Sequence, residues 1–266
     1  ISEQVLFILH GSGANGKSTL LDTLRAVWND YALATPTDTL TLKQNDPIPN
    51  DLARLVGARL VTAVETEDGK RLAESRIKQM TGGEPLVARF LHREFFEFSP
   101  CFKIFLATNH RPQIRGTDLA IWRRLKLIPF LVSIPEDQQD KRFGEKLLAE
   151  LPGILRWCVD GCLLWQHEGL GIPDEVREAT EEYRTEQDVL AAFFAEHCEF
   201  GPLMETFANL LYSEYSEWCR QNGEIPEKHR TFSAMLTERG FQKYRSTGNM
   251  LRWKGIGLID RREEKG

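Results

Sequence analysis

The stretch Gly11-Ser12-Gly13-Ala14-Asn15-Gly16-Lys17-Ser18, continued by Thr19, follows the spacing G-x-x-x-x-G-K-[ST] without a departure. Glycines at such positions let a loop turn its backbone N–H groups around phosphate oxygens, through φ values that most residues avoid. A helix beginning at the lysine aims the positive end of its dipole at the same oxygens. In that arrangement Lys17 reaches the β- and γ-phosphates and Ser18 ligates Mg²⁺. The chemistry implied is the binding of MgATP by residues 11–19.

Such a loop works only between a buried strand and a helix, and both are legible. Val5–His10 is an apolar run bounded by glycine, and Ser18–Trp28 repeats leucines at helical spacing. Arg59–Val64 reads as a second strand and delivers Glu65 and Glu67 at its end. A carboxylate there can organise Mg²⁺ or orient an attacking water. Glu65 is favoured because it directly follows the apolar run, and Glu67 shares its side of an extended chain. Lys103–Thr108 is a third strand closed by Asn109, whose amide suits the lytic water or the γ-phosphate. Leu125–Phe130 is a fourth, preceded by Arg123-Arg124, either of which could stabilise charge on a neighbour's γ-phosphate. Arg71–Met80 reads as a helix and Thr35–Asn50 as irregular, while Pro85–Leu91 and Phe95–Ser99 form a hairpin signal around His92-Arg93-Glu94. Strands alternating with helices predict an α/β fold, a parallel sheet covered on both faces.

From Asp137 to Cys198 the pattern is helical, and beyond Gly201-Pro202 it changes. Phe207–Cys219 and Phe232–Arg239 are helix candidates, and a hairpin turns at Thr247-Gly248-Asn249, which together outline a winged-helix module. Phe232, Met235, Leu236 and Phe241 are its expected core, with Trp253 capping the wing. The expected division is a P-loop ATPase core over 1–135, a helical region over 136–200 and the winged-helix module over 205–266. The net charge of −5 hides a sharp asymmetry. Residues 228–254 hold seven bases against Glu238 alone, whereas 160–188 hold nine acids against Arg177 and Arg184. Local charge is what a phosphate backbone feels, so Lys243, Arg245 and Arg252 are candidate DNA contacts. The alternative is that this basic face docks on the acidic segment of its own chain.

Five cysteines, an odd number, argue against a disulfide framework and fit a reducing, cytoplasmic setting. Cys158 and Cys162, with His167 nearby, have the spacing of one helical face rather than of a zinc site. No apolar run approaches a membrane span, and the chain starts almost directly on a strand, as a fragment with upstream sequence would.

Taken in order, these stretches resemble the superfamily 3 helicases of the poxvirus, phage and plasmid primase–helicase type. The resemblance rests on GSGANGKST, LVTAVETEDG, IKQMTGGEPLVARFLHREFFEFSPCFK, IFLATNHRP, GTDLAIWRRLKLIPF and the tail from LYSEYSEWCRQNG to RWKGIGL. It implies an AAA+-like motor that assembles as a hexameric ring, with ATP between subunits and single-stranded or forked DNA in the channel. By the same resemblance His92 and Arg93 grip the nucleic-acid backbone, Asn109 is the sensor, and Arg123 or Arg124 is the finger supplied to the neighbouring site. Any priming activity would lie upstream. The family commonly has two adjacent carboxylates where Thr66 here separates Glu65 from Glu67, which leaves their division of roles open. The rival reading is a regulatory P-loop ATPase that binds DNA without unwinding it. A small-molecule kinase would leave the 82–100 hairpin and the basic tail without a purpose.

Overall fold

The computed structural model describes residues 2–42, 50–65, 67, 69–115, 119–246 and 248–259. Residues 43–49 of the stretch read as irregular, Thr247 of the last turn and residues 260–266 of the C-terminal module lie outside these. The chain divides into two compact units, 1–187 and 188–266.

In chain order the first unit runs β1 (Leu6–His10), α1 (Lys17–Trp28), β2 (Ala32–Ala34), α2 (Asn50–Ala53), β3 (Leu60–Glu65), α3 (Glu74–Gly82), β4 (Leu86–Ala88), β5 (Phe96–Phe98), β6 (Lys103–Thr108), α4 (Leu119–Trp122), β7 (Leu125–Pro129), α5 (Phe143–Ala149), α6 (Leu151–Glu168) and α7 (Asp174–Glu186). Five strands form one parallel sheet in the order β2-β3-β6-β1-β7. The α/β architecture, a parallel sheet flanked by helices, is thus as the sequence predicted. Alternation along β1 explains why both faces must be covered. Leu6 and Ile8 enter one buried cluster with Val61, Ile104 and Leu125, while Leu9 packs on the other face against Leu21 of α1 and Ala107.

The register brings the ends of four strands level. Glu65 lies opposite Thr108, Thr108 opposite His10, and His10 opposite Pro129. The edge strand β7 is covered by α7, where the Leu127 N–H donates to the Thr180 hydroxyl at 3.0 Å. Two details depart from the sequence reading. The short β2 is a strand that Ala-Leu-Ala, poor in β-branched residues, does not announce. Arg71 and Leu72, read as the start of a helix, instead make isolated bridges to Gln113 and Thr41, so α3 begins at Glu74.

The second unit comprises α8 (Val189–His197), β8 (Cys198–Phe207), α9 (Ala208–Gln221), α10 (His229–Glu238), β9 (Gln242–Arg245) and β10 (Leu251–Leu258). Its sheet is antiparallel in the order β8-β10-β9. Phe193, Tyr215, Trp218, Phe232, Leu236 and Trp253 fill the core between helices and sheet. Trp253 therefore does not cap the wing. It faces inward opposite Lys243 and is 1% exposed. The strand β8 was hidden by Gly201-Pro202, which reads as punctuation but lies within the strand that pairs with β10.

Candidate functional site

The loop between β1 and α1 is held from behind. The Phe130 N–H donates to the His10 carbonyl at 2.7 Å, and Asn15 Nδ2 donates to the Phe130 carbonyl at 3.0 Å. Farther along, the Ile134 N–H donates to the Ala14 carbonyl at 2.7 Å, and the Ser12 and Ser133 hydroxyls bond at 2.9 Å. Residues 130–134 thus form a backing strip that the sequence did not reveal, because it reaches the loop from more than a hundred residues away. Gly11 is required by this contact: a Cβ there would stand 2.1 Å from the Phe130 carbonyl oxygen. Gly16, at φ 86°, sits in the left-handed region just before α1.

Lys17 is buried at the first position of α1. Its ammonium donates to the carbonyls of Gly11 at 2.6 Å and Ser12 at 2.9 Å, and to Asn15 Oδ1 at 3.0 Å. All three acceptors belong to the loop itself, and burial pushes the lysine's pKa down. Ser18 and Ser12 are exposed beside it. The loop therefore brings a buried ammonium and the start of α1 together at one glycine-rich turn, with the residue types that suit phosphate oxygens.

Glu65 ends β3, one strand beyond β6, and is 7% exposed. Its carboxylate accepts the Glu67 N–H at 2.8 Å. Glu67 points elsewhere: its carboxylate is largely exposed and pairs with Lys70 at 2.9 Å. Thr108 is buried between these strand ends, and its hydroxyl donates to the His110 carbonyl at 2.6 Å. Asn109 follows, exposed, with no side-chain hydrogen bond among the described residues. Its neighbours are anchored on α7. Arg111 pairs with Glu182 at 2.9 Å and with Glu186, and the Tyr183 hydroxyl donates to the Pro112 carbonyl. His10 completes the edge, its pKa lowered by burial and by the charges of Arg111 and Lys17.

The two adjacent arginines have different surroundings. Arg124 is 7% exposed and donates to Thr81 Oγ1 at 3.2 Å, the Ala120 carbonyl at 2.6 Å and Gln4 Oε1 at 2.9 Å. Arg123 is exposed, and its guanidinium has no partner among the described residues.

His92 and Arg93 lie exposed in the turn between the antiparallel strands β4 and β5, with His92 at φ 61°. Around them Phe90, Leu91 and Phe95 are also exposed, with Arg89 over the Phe95 ring at 4.7 Å. In the second unit the three bases singled out do not share a face. Lys243 pairs across the hairpin with Trp253, and Arg252 with Tyr244, so alternation sends Arg252 to the opposite side from Lys243 and Arg245. Lys243 bonds the Ser233 hydroxyl of α10 at 3.2 Å. Arg252 stacks on Phe207 at 4.2 Å and pairs with Glu205 at 3.4 Å, whereas Arg245 is exposed and bonds Asn249 Oδ1 at the turn. No helix among the described residues is long and apolar enough to cross a membrane.

Comparison with known proteins finds chains similar to this one. A family of unknown function, DUF5906, matches residues 9–124. The chain is 29% identical over 248 residues to "Putative helicase L207/L206" of Acanthamoeba polyphaga mimivirus, covering 85% of this chain and 26% of that protein. It is 26% identical over 241 residues to "Putative helicase 022R" of Frog virus 3, covering 83% and 25%. It is 31% identical over 136 residues to "Primase D5" of Fowlpox virus, covering 48% and 17%. The chain thus spans about a quarter of the length of the helicase-named relatives it matches. Among solved structures, the C-terminal region of NrS-1 (residues 305–718) shares the fold, with a TM-score of 0.53 at 13% identity over 96% of this chain and 67% of that one. The chain is thus similar to proteins of large DNA viruses that are named as helicases and as a primase.

Proposed function

We propose that this chain is the motor region of an ATP-dependent DNA helicase of superfamily 3, part of a replicative primase–helicase whose priming region lies upstream. The observation that carries the reading is the level edge of the parallel sheet. There the loop 11–18, Glu65 and the Thr108–Asn109 corner end side by side on adjacent strands. In open parallel sheets ligands lie at that edge. The strand order, β7-β1-β6-β3-β2, supports assignment of the core as a P-loop ATPase of AAA+ type. The order α8, β8, α9, α10, β9, β10 supports a winged-helix module.

The loop would hold the phosphates of ATP, with Lys17 neutralising the charge of the terminal ones and Thr19, in the first turn of α1, beside them. Ser18 and Glu65 would hold Mg²⁺, which supplies charge neutralisation on the phosphate oxygens. The enclosure of Glu65 favours it over Glu67 as the residue that orients water, and the exposure of Asn109 suits a sensor of the γ-phosphate. Arg123, exposed, is the better finger for a neighbouring subunit, since Arg124 is committed to Thr81, Ala120 and Gln4. A hexameric ring with DNA in its channel, gripped by His92 and Arg93, completes the motor. Arg245 is the most available of the three bases proposed as DNA contacts in the second unit. The protein would work in the cytoplasm.

Strand displacement tests this reading. Purified chain with MgATP and a forked DNA should separate the strands, and Glu65→Gln should abolish the separation while leaving ATP bound. ATP hydrolysis that responds to DNA without any displacement would make the chain a regulatory ATPase instead.

A further inference from the structure

The corner that follows β6 and carries Asn109 is fastened on two sides. On one stands the C-terminal half of α7. Arg111 pairs with Glu182 and Glu186, one turn apart on a single helical face. Between them the Tyr183 hydroxyl donates to the Pro112 carbonyl, and just beyond, the Ile114 N–H donates to Gln187 Oε1 at 2.9 Å. On the other side runs the segment that follows Glu65. The Gln113 N–H donates to the Lys70 carbonyl at 2.8 Å, the Leu72 N–H to the Gln113 carbonyl at 3.0 Å, and the Arg115 N–H to Glu74 Oε1 at 3.2 Å. Lys70 in turn pairs with Glu67, so the corner and the acidic end of β3 belong to one network.

The Asn109 side chain is exposed and makes no hydrogen bond among the described residues, so its place at the sheet edge is set by the backbone on either side. Toward β6, the buried Thr108 hydroxyl donates to the His110 carbonyl at 2.6 Å and accepts the His110 N–H at 3.2 Å. In the other direction Arg111 ties the chain, two residues from Asn109, to α7. Its guanidinium forks between the two carboxylates and lies 5.9 Å from the centroid of the Tyr183 ring. That ring is fully buried and edge-on to Trp122 at 5.2 Å. A planar cation held at three points by a packed helix has little freedom to move.

We infer that Arg111 is a positioning residue for hydrolysis: clamped on Glu182 and Glu186 of α7, it holds the 109–115 corner so that the Asn109 amide stays level with Glu65 and the phosphate loop. The inference rests on the reading of that edge as an ATP site with Asn109 at the γ-phosphate, and adds a residue and a helix to which that reading gives no role. It also gives two acids of the 160–188 segment a partner within their own unit.

Steady-state MgATP hydrolysis and calorimetric MgATP binding test it on the full chain, as wild type, Asn109→Ala, Arg111→Ala, Arg111→Lys and the double variant Asn109→Ala/Arg111→Ala. Misplacing a reacting group by about 1 Å can cost about 10²-fold, so Arg111→Ala should lower kcat roughly 10- to 100-fold. ATP affinity, set by the loop, should change by less than about twofold. Arg111→Lys should recover part of the loss, because an ammonium still pairs with a carboxylate but cannot fork between two. Once the amide is gone, removing Arg111 should cost less than about a further twofold, since the two act as one unit. Should Arg111→Ala fail to fold, Glu182→Gln/Glu186→Gln unpairs the guanidinium at nearly constant shape and should show the same dependence on Asn109. Losses that multiply in the double variant would overturn the positioning role and leave the Asn109 reading intact. So would wild-type kcat in Arg111→Ala beside a defective Asn109→Ala, or a fall in ATP affinity as large as the fall in kcat. Wild-type turnover in Asn109→Ala, or none in the wild type, would instead remove the reading of the edge, and the role of Arg111 with it.

Discussion

Gly11→Ala and Gly13→Ala alter the same loop by one methyl group each, and the structure assigns them opposite outcomes. A Cβ on Gly11 would meet the Phe130 carbonyl oxygen at 2.1 Å and Asn15 Nδ2 at 2.7 Å. Carbon–oxygen contacts normally stand at about 3.3 Å or more, so the backing strip must retreat by roughly 1 Å. Retreat disrupts the bonds from Asn15 Nδ2 to Phe130 and from Phe130 to His10. At about 0.5–1.5 kcal/mol each, with a further 1–3 kcal/mol for the forced backbone shift, the loss is about 2–6 kcal/mol. For a unit of this size that corresponds to a fall in melting temperature of roughly 6–18 °C. A Cβ on Gly13 meets nothing within 4 Å, and Gly13 is not among the residues at positive φ. Gly13→Ala should therefore change stability by no more than about 1 kcal/mol, in either direction. Differential scanning calorimetry of the two variants decides. A Gly11→Ala melt within a degree of the wild type, or a Gly13→Ala loss as large, would refute the packing of residues 130–134 behind the loop.

Three further outcomes are expected. Arg124→Ala should destabilise the first unit by about 2–4 kcal/mol, since it strips buried partners of a charged donor, whereas Arg123→Ala should leave the denaturant midpoint unchanged and instead lower turnover by roughly 10³. Native His10 titrates below its unfolded value of about 6.5, because burial, Arg111 and Lys17 disfavour its charged form. Between the two values the unfolded chain binds more protons, so stability falls as pH drops through that window, by at most about 1.4 kcal/mol per pH unit; His10→Gln should flatten this slope in chemical denaturation at pH 5 to 7. Trp253→Ala should cost the second unit about 3–5 kcal/mol, read from near-ultraviolet circular dichroism melts, whereas a wing-cap role would cost little.

What could be read from the sequence was contiguous. The loop, its strand and its helix are one segment of chain, and Glu65 and Asn109 each follow an apolar run at once, so local pattern alone placed them at strand ends. Their common edge then followed from the parallel sheet. What escaped depends on partners distant in sequence. Arg124 is buried because Thr81 and Gln4, 43 and 120 residues away, receive its guanidinium. Nothing in Trp-Arg-Arg-Leu separates it from Arg123. The grouping of Lys243, Arg245 and Arg252 considered charge without register. Alternation puts Lys243 and Arg245 on one face, but only the pairing with β10 puts Arg252 on the other. Composition likewise cannot show that Gly201-Pro202 lies within β8. The apolar residues of α6 were legible as a helix, but that the helix buries none of them was not.

The most direct test of the site at the sheet edge is steady-state hydrolysis of MgATP by the wild-type chain and by Lys17→Ala, each with and without single-stranded DNA. The expected result is turnover by the wild type that rises with DNA, and loss of turnover in Lys17→Ala with the fold retained by circular dichroism. Equal turnover by the two proteins, or none by a folded wild type under any DNA condition, would contradict a nucleotide-driven motor built on the loop from Gly11 to Thr19.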